Sequence, residues 1–215
     1  MQPLNMSYDY RSLKVYQKAE CIYDITYHFA HKYLDHGDRT VDQMIQAARS
    51  GKQNIAEGCA DGTTSKEMEL KLTNVARGSL QELLADYEDY LRARGYAQWQ
   101  PGSSELRQAR DVCRRHNDSQ YYLERIEQRS DATVANIAIV LIHQADYMLN
   151  KYIDHLRRRF LEQGGIKEEM HRARTAQRTT DRETIARLQQ EITRLQTENS
   201  RLKEEIARLG RDRQD

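Results

Sequence analysis

The sequence predicts an all-α protein: a four-helix bundle with a helical insertion before its fourth helix, followed by a C-terminal coiled-coil helix. Three observations carry this. Only 2 Pro and 10 Gly occur in 215 residues, so helix breakers are sparse. Apolar residues recur at helical spacing through four long segments, the pattern of a helix that buries one face. From Ile185 onward that pattern tightens into a heptad. A charged fraction of 31% and a mean hydropathy of −0.93 fit a compact part carrying a long solvated helix.

The first helix is expected over about residues 11–34, with Val15, Ala19, Ile22, Phe29 and Tyr33 inward, ending at the turn "DHGD". The second spans about 39–57, with Val41, Met44, Ile45, Ala48 and Ile55 inward. Gly58 reads as its C′ residue, where a left-handed backbone favours glycine. After "CADGTTSKE", Thr64 and Glu67 stand at capping-box spacing for a third helix, which carries Met68, Leu72, Leu80, Leu83, Tyr87 and Leu91 and stops near Gly95. "YAQWQPGSS" is a loop marked by Pro101-Gly102. Residues 98–130 form the insertion, with one or two short charged helices over 104–128. The fourth helix runs from about Asp131 to Glu162. It is apolar nearly all round at Val134, Ile137, Ile139, Val140, Leu141 and Ile142, so it needs a second covering partner. A neighbouring subunit is the favoured cover and the insertion the other.

Residues 164–183 read as a polar connector and 211–215 as a disordered tail. Between them, over 184–210, Ile185, Leu188, Ile192, Leu195, Asn199, Leu202, Ile206 and Leu209 alternate a and d positions over four heptads. Isoleucine at a, leucine at d and a lone asparagine at a select a parallel two-stranded coil. Glu198 at g and Lys203 at the following e can pair between strands. Arginines at every c position read as a solvated face rather than a DNA-reading zipper, which needs a dense basic helix upstream.

Three scattered cysteines, Cys21, Cys59 and Cys113, form no zinc spacing and suit a reducing cytoplasm. No signal peptide is visible, and the uncharged run 133–145 is too short to span a bilayer, so no membrane association is expected. His28 and His31, flanked by Asp24 and Asp35, read as a polar helix face rather than metal ligands, and no cofactor is implied. Arg114 and Arg115, and Arg157, Arg158 and Arg159, end helices where the dipole favours cations; they are the candidate phosphate contacts. Residues 1–163 carry 22 Lys+Arg against 23 Asp+Glu. A near-neutral bundle predicts nucleic-acid binding that is weak at physiological salt and steeply salt-dependent.

"ARSGKQNIAEG" at 48–58 is too polar for an ordinary core helix. It is not a phosphate cradle, because its last glycine follows the helix instead of preceding it. It offers no nucleophile–base pair. With "SLKVYQKA" at 12–19 and "VARGSLQEL" at 75–83, it resembles the signature of the four-helix-bundle proteins first named for 23S rRNA intervening sequences. That family includes the accessory variability proteins of diversity-generating retroelements. The resemblance implies an up-down four-helix bundle that assembles into a ring, typically a homopentamer, without catalytic residues. It also implies service beside nucleic acid or a nucleic-acid enzyme such as a reverse transcriptase. Asn54, Ile55, Glu57, Gly58, Arg77, Gly78 and Ser79 match signature positions, in structural or interfacial roles, with Gly78 a place where helices could approach closely. The expected function is a non-enzymatic homo-oligomeric scaffold or accessory protein. The rivals are a direct RNA- or DNA-binding module and a purely structural self-assembling protein.

Overall fold

The computed structural model describes residues 9–35, 37–61, 65–164 and 166–211. Among them the protein is all-α, with no strand: after a 3-10 turn at Tyr10–Ser12 come α1 (Lys14–Tyr33), α2 (Arg39–Asp61), α3 (Lys66–Ala93), α4 (Ser104–Arg115), α5 (Ser119–Ile126), α6 (Asp131–Gln163) and α7 (Ile166–Arg211). The chain divides into two compact units, Met1–Gly165 and Ile166–Asp215.

In the first unit, α1, α2, α3 and α6 pack pairwise around one core, α1 on α2, α2 on α3, α3 on α6 and α6 on α1. Ile22, Ile25, Phe29, Met44, Leu80, Leu83, Tyr87, Leu141 and Leu149 are wholly enclosed there. Phe29 holds Tyr87 and Tyr90 edge-on at 5.0 and 4.8 Å, a favoured aromatic geometry. Side-chain caps start the helices: Ser65 accepts from Met68 N, Ser103 from Leu106 N and Ser130 from Thr133 N. The cap of α3 is therefore Ser65, one residue after the Thr64 that capping-box spacing suggests; Thr64 lies outside the described residues. At the other end of α3, Gly95 has φ +68°. Tyr96 N donates to Leu91 O and Gly95 N to Arg92 O, so the expected glycine stop is a Schellman-type closure.

Two elements differ from the sequence expectation. α2 continues to Asp61 and carries Gly58 inside it; the positive-φ glycines among the described residues are Gly95, Gly102 and Gly164. Gly58 is thus not a C′ residue. Its reason is proximity, since a Cβ there would lie 3.3 Å from Leu72 Cβ and 3.4 Å from Glu69 O on α3. The second difference concerns the cover of α6. The insertion folds as α4 and α5; α4 lies against α6 and α5 against α1. α4 contributes buried Leu106, Ala109 and Cys113, while Ile139 and Val140 of α6 are almost fully covered. The same chain therefore supplies the second partner that α6 requires at this face, and the neighbouring-subunit reading of it falls away. α6 as a whole is long and apolar enough to cross a membrane by length and composition, although the run 133–145 alone is not. Its apolar residues form the centre of the bundle.

In the second unit α7 is continuous from Ile166 to Arg211. The stretch read as a polar connector is helical, because Arg, Lys, Glu, Gln and Ala are good helix formers and no Pro or Gly interrupts 166–183. Residue 211 closes this helix, and the tail 212–215 lies outside the described residues.

Candidate functional site

The signature residues lie on α2 and α3, which pack on each other, and Arg77 of α3 turns to α6. On α2, Ser50, Gly51, Asn54, Ile55 and Gly58 follow one another at alternating spacings of one and three residues, so they share a side of the helix. Gly51 allows the closest approach: a Cβ built there would stand 2.7 Å from Leu80 Cδ2. Ser50 Oγ and Ser79 Oγ hydrogen-bond across the two helices at 2.9 Å. Asn54 Nδ2 donates back to Ser50 O at 2.9 Å and to Ser50 Oγ at 3.2 Å, which orients the serine. Ile55 is core and Glu57 is exposed. Gly78 is exposed, with nothing within 4 Å of a Cβ, so the close-approach role expected of it belongs to Gly51 and Gly58.

Arg77 works in the other direction, toward α6. Its Nε donates to Asp146 Oδ1 at 2.8 Å, Gln81 Nε2 donates to the same oxygen at 2.9 Å, and Asn150 Nδ2 donates to Asp146 Oδ2 at 3.0 Å. Three donors from two helices thus satisfy one half-buried carboxylate. Asp146 and Gln81 were not singled out from the sequence. The signal was there only as the one Asp, Glu, Lys or Arg in the mostly apolar stretch 132–150 of α6, a residue that must find partners when the helix is enclosed.

The groups with nucleophilic or ligating chemistry are mostly committed elsewhere. Cys21, Cys59 and Cys113 are free and buried. Burial pushes the Cys21 thiol up to about 12 and the Cys59 thiol up to about 11, and raises Cys113 as well, which keeps them protonated and unreactive. His28 sits 3.6 Å from Glu127 Oε2, His31 Nδ1 contacts Tyr27 O, and Asp24 accepts from Ser119. The His28 and Asp24 contacts tie α1 to α5 and the residue that follows it, while that of His31 stays within α1. Among the described residues no group of three or more His, Cys, Asp or Glu could hold a metal ion.

The candidate phosphate contacts are exposed, save Arg159, and partly engaged. Arg114 and Arg115 both bind Asp111, at 2.6 and 2.5 Å. Arg157 lies 3.9 Å from Asp154, Arg158 Nε donates to Asp154 O at 3.3 Å, and Arg159 is half-buried. Arg114 shares one cleft with Arg107 and Arg110, which the sequence did not single out; Arg115 and Arg157 to Arg159 do not line it.

α7 leaves an apolar stripe open. Ile185, Leu188, Ile192, Leu195 and Leu202 are each 51–54% exposed, lying along one helix at heptad spacing. The side chains of Ile206 and Leu209 lie outside the described ones.

These features define an all-α helical-bundle protein in which Ser79 and Arg77 of the signature join helix to helix. The family model described as 23S rRNA-intervening sequence protein matches residues 11–117, and through this stretch the chain belongs to that family. The match runs past the three signature helices and through α4, into the segment that the sequence sets apart as an insertion. Neither a curated protein nor a solved structure gives a match.

Proposed function

We propose that this protein is a non-enzymatic, homo-oligomeric scaffold or accessory protein that assembles through α7 and serves a nucleic-acid-processing partner in the cytoplasm. The observation that carries assembly is the open stripe of α7. Five apolar side chains, each about half exposed along one helix, are unfavourable in water and match a second copy of themselves. Asn199 at an a position favours two parallel strands, and Glu198 and Lys203 stand where they pair across them. Support for a non-catalytic role comes from the signature residues Ser79 and Arg77, whose polar atoms serve helix–helix contacts, and from Asn54, which holds Ser50 in place. Support for a nucleic-acid partner comes from the family and from the resemblance to retroelement accessory proteins. The ring that the resemblance implies would have to form on other surfaces than the α4-covered face of α6.

Light scattering tests assembly. The full chain is expected at twice its 25.3 kDa mass. Leu195→Asp, or a chain ending at Gln163, is expected at the monomer mass. A chain ending at Gln163 that keeps a five-subunit mass would place assembly in the bundle and overturn the α7 reading. The direct nucleic-acid-binding rival predicts nucleic acid that co-purifies at low salt and is lost at high salt.

A further inference from the structure

The insertion creates a cleft that the scaffold role does not use. It lies between the Gln98–Pro101 loop, α4 and α6, with a volume of about 770 Å³, within the size range of small-molecule sites. Its floor is apolar, formed by Leu106, Ile139 and Val140, all buried. One wall carries Trp99, the only tryptophan of the chain. The opposite wall is basic: Arg107, Arg110 and Arg114 follow at i, i+3 and i+7 on α4 and so share one face.

The cleft is built before any ligand arrives. Asn136, only 2% exposed, accepts from Trp99 N at 2.8 Å and donates to Ala97 O at 3.2 Å, which fixes the tryptophan loop to α6. Gln144 Nε2 donates to Arg110 O at 3.0 Å, which fixes α4 to the same helix. The charge is unbalanced. Asp111 is the only carboxylate in the lining, and it already holds Arg114 and Arg115. Arg107 and Arg110 have no carboxylate partner among the described residues; Arg107 Nε reaches only Ser103 O, at 3.4 Å. The amides are polarised in one sense as well. Gln98 Nε2 donates to Glu88 Oε1, Gln100 Nε2 to Gln98 O, and Gln144 Nε2 to Arg110 O. These partners can only accept, so each amide presents its oxygen as a spare acceptor.

We propose that this cleft binds a free nucleoside phosphate carrying an amino-substituted base. The base lies against Trp99 and the apolar floor, with its exocyclic amine toward the glutamine oxygens, and the phosphates meet Arg107 and Arg110. Flat apolar surface, unpaired guanidinium groups and uncommitted acceptors are together the complement of such a ligand. A phosphate ester alone would leave the tryptophan wall and floor unused.

Because Trp99 is the only tryptophan, intrinsic fluorescence of the full chain reads the cleft directly. ATP is expected to change Trp99 emission saturably, and UTP to bind more weakly because uracil offers no amine. Arg107→Glu/Arg110→Glu is expected to weaken ATP by about tenfold or more, the equivalent of one charge-assisted contact. Both arginines are exposed, so the circular dichroism of this variant should equal that of the parent. Inorganic tripolyphosphate is expected to bind without matching ATP's affinity. The proposal is overturned by an absence of saturable change at millimolar ATP, by unaltered ATP affinity in the double variant, by tripolyphosphate or UTP binding as tightly as ATP, or by a single-stranded oligonucleotide that binds where ATP does not. None of these outcomes depends on the mass of the α7 assembly.

Discussion

Two glycines, both in signature segments, separate backbone packing from mere composition. Gly51 of α2 faces Leu80, which is wholly buried. Gly51→Ala should therefore overpack the α2–α3 contact by about 1–3 kcal/mol, more than the roughly 1 kcal/mol gained from helix propensity, and lower the melting temperature. Gly78 of α3 is exposed with open space where a Cβ would go. Gly78→Ala should keep only the propensity gain, up to about 1 kcal/mol, and raise it. Thermal unfolding of both variants checks the pair, and a destabilised Gly78→Ala would place that face against another molecule. The Arg77 network makes a third residue-scale case. Asp146→Ala strips the acceptor from Arg77, Gln81 and Asn150 together and should cost about 2 kcal/mol, read by urea unfolding.

At the scale of elements, the insertion is held to the bundle by polar contacts from α1. Lys18 is only 2% exposed. Its Nζ donates to Cys113 O and, at 3.1 Å, to His116 O, the carbonyl end of α4, where a cation complements the helix dipole. Burial lowers its pKa below the usual 10.5, with Cys113 and Cys21 opposing weakly. Lys18→Met should leave both carbonyls without a donor and cost about 1–3 kcal/mol, whereas Lys14→Met on the exposed side should be near neutral; chemical denaturation separates them. Just beyond α5, Tyr33 Oη donates to Arg129 O at 2.7 Å and Lys32 reaches Glu127, beside His28. Burial lowers the His28 pKa below 6.5, and Glu127 raises it in part. An unfolded His28 takes up its proton first as pH falls, so this contribution is present above pH 6.5 and is lost on acidification through and below it. The His28 Cε1 proton should titrate with a midpoint below 6.5, and hydrogen exchange in α5 should quicken at pH 5.5 relative to 7.5.

For the whole molecule, the question is what sets the number of chains. α7 presents a stripe suited to two strands, with Asn199 as the residue that disfavours larger coils. Asn199→Ile should stabilise the association of α7 while loosening its preference for two strands, visible as a higher mass in sedimentation with the bundle's thermal transition unchanged. An unaltered dimer mass would show that the other a and d residues suffice to select two strands.

Much of this architecture is local and therefore readable along the chain. Val15, Ile22 and Phe29 mark α1, Gly95 marks the end of α3, Pro101-Gly102 marks the loop, and the Ile185–Leu209 heptad marks the solvated helix, because helical periodicity and turn chemistry involve only neighbours in sequence. What only the tertiary structure decided are relations between distant residues. Gly58 read as a helix stop because a glycine after a polar run looks the same in one dimension whether it frees φ or admits Leu72 and Glu69. The second cover of α6 could be a subunit or the insertion until α4 was seen against Ile139 and Val140, since an apolar face specifies burial but not by whom. The Asp146 network, buried Lys18 and the Trp99 cleft were silent for the same reason. Each is made when polar groups from separate helices are enclosed together and must satisfy one another, and that requirement exists only once the helices have packed.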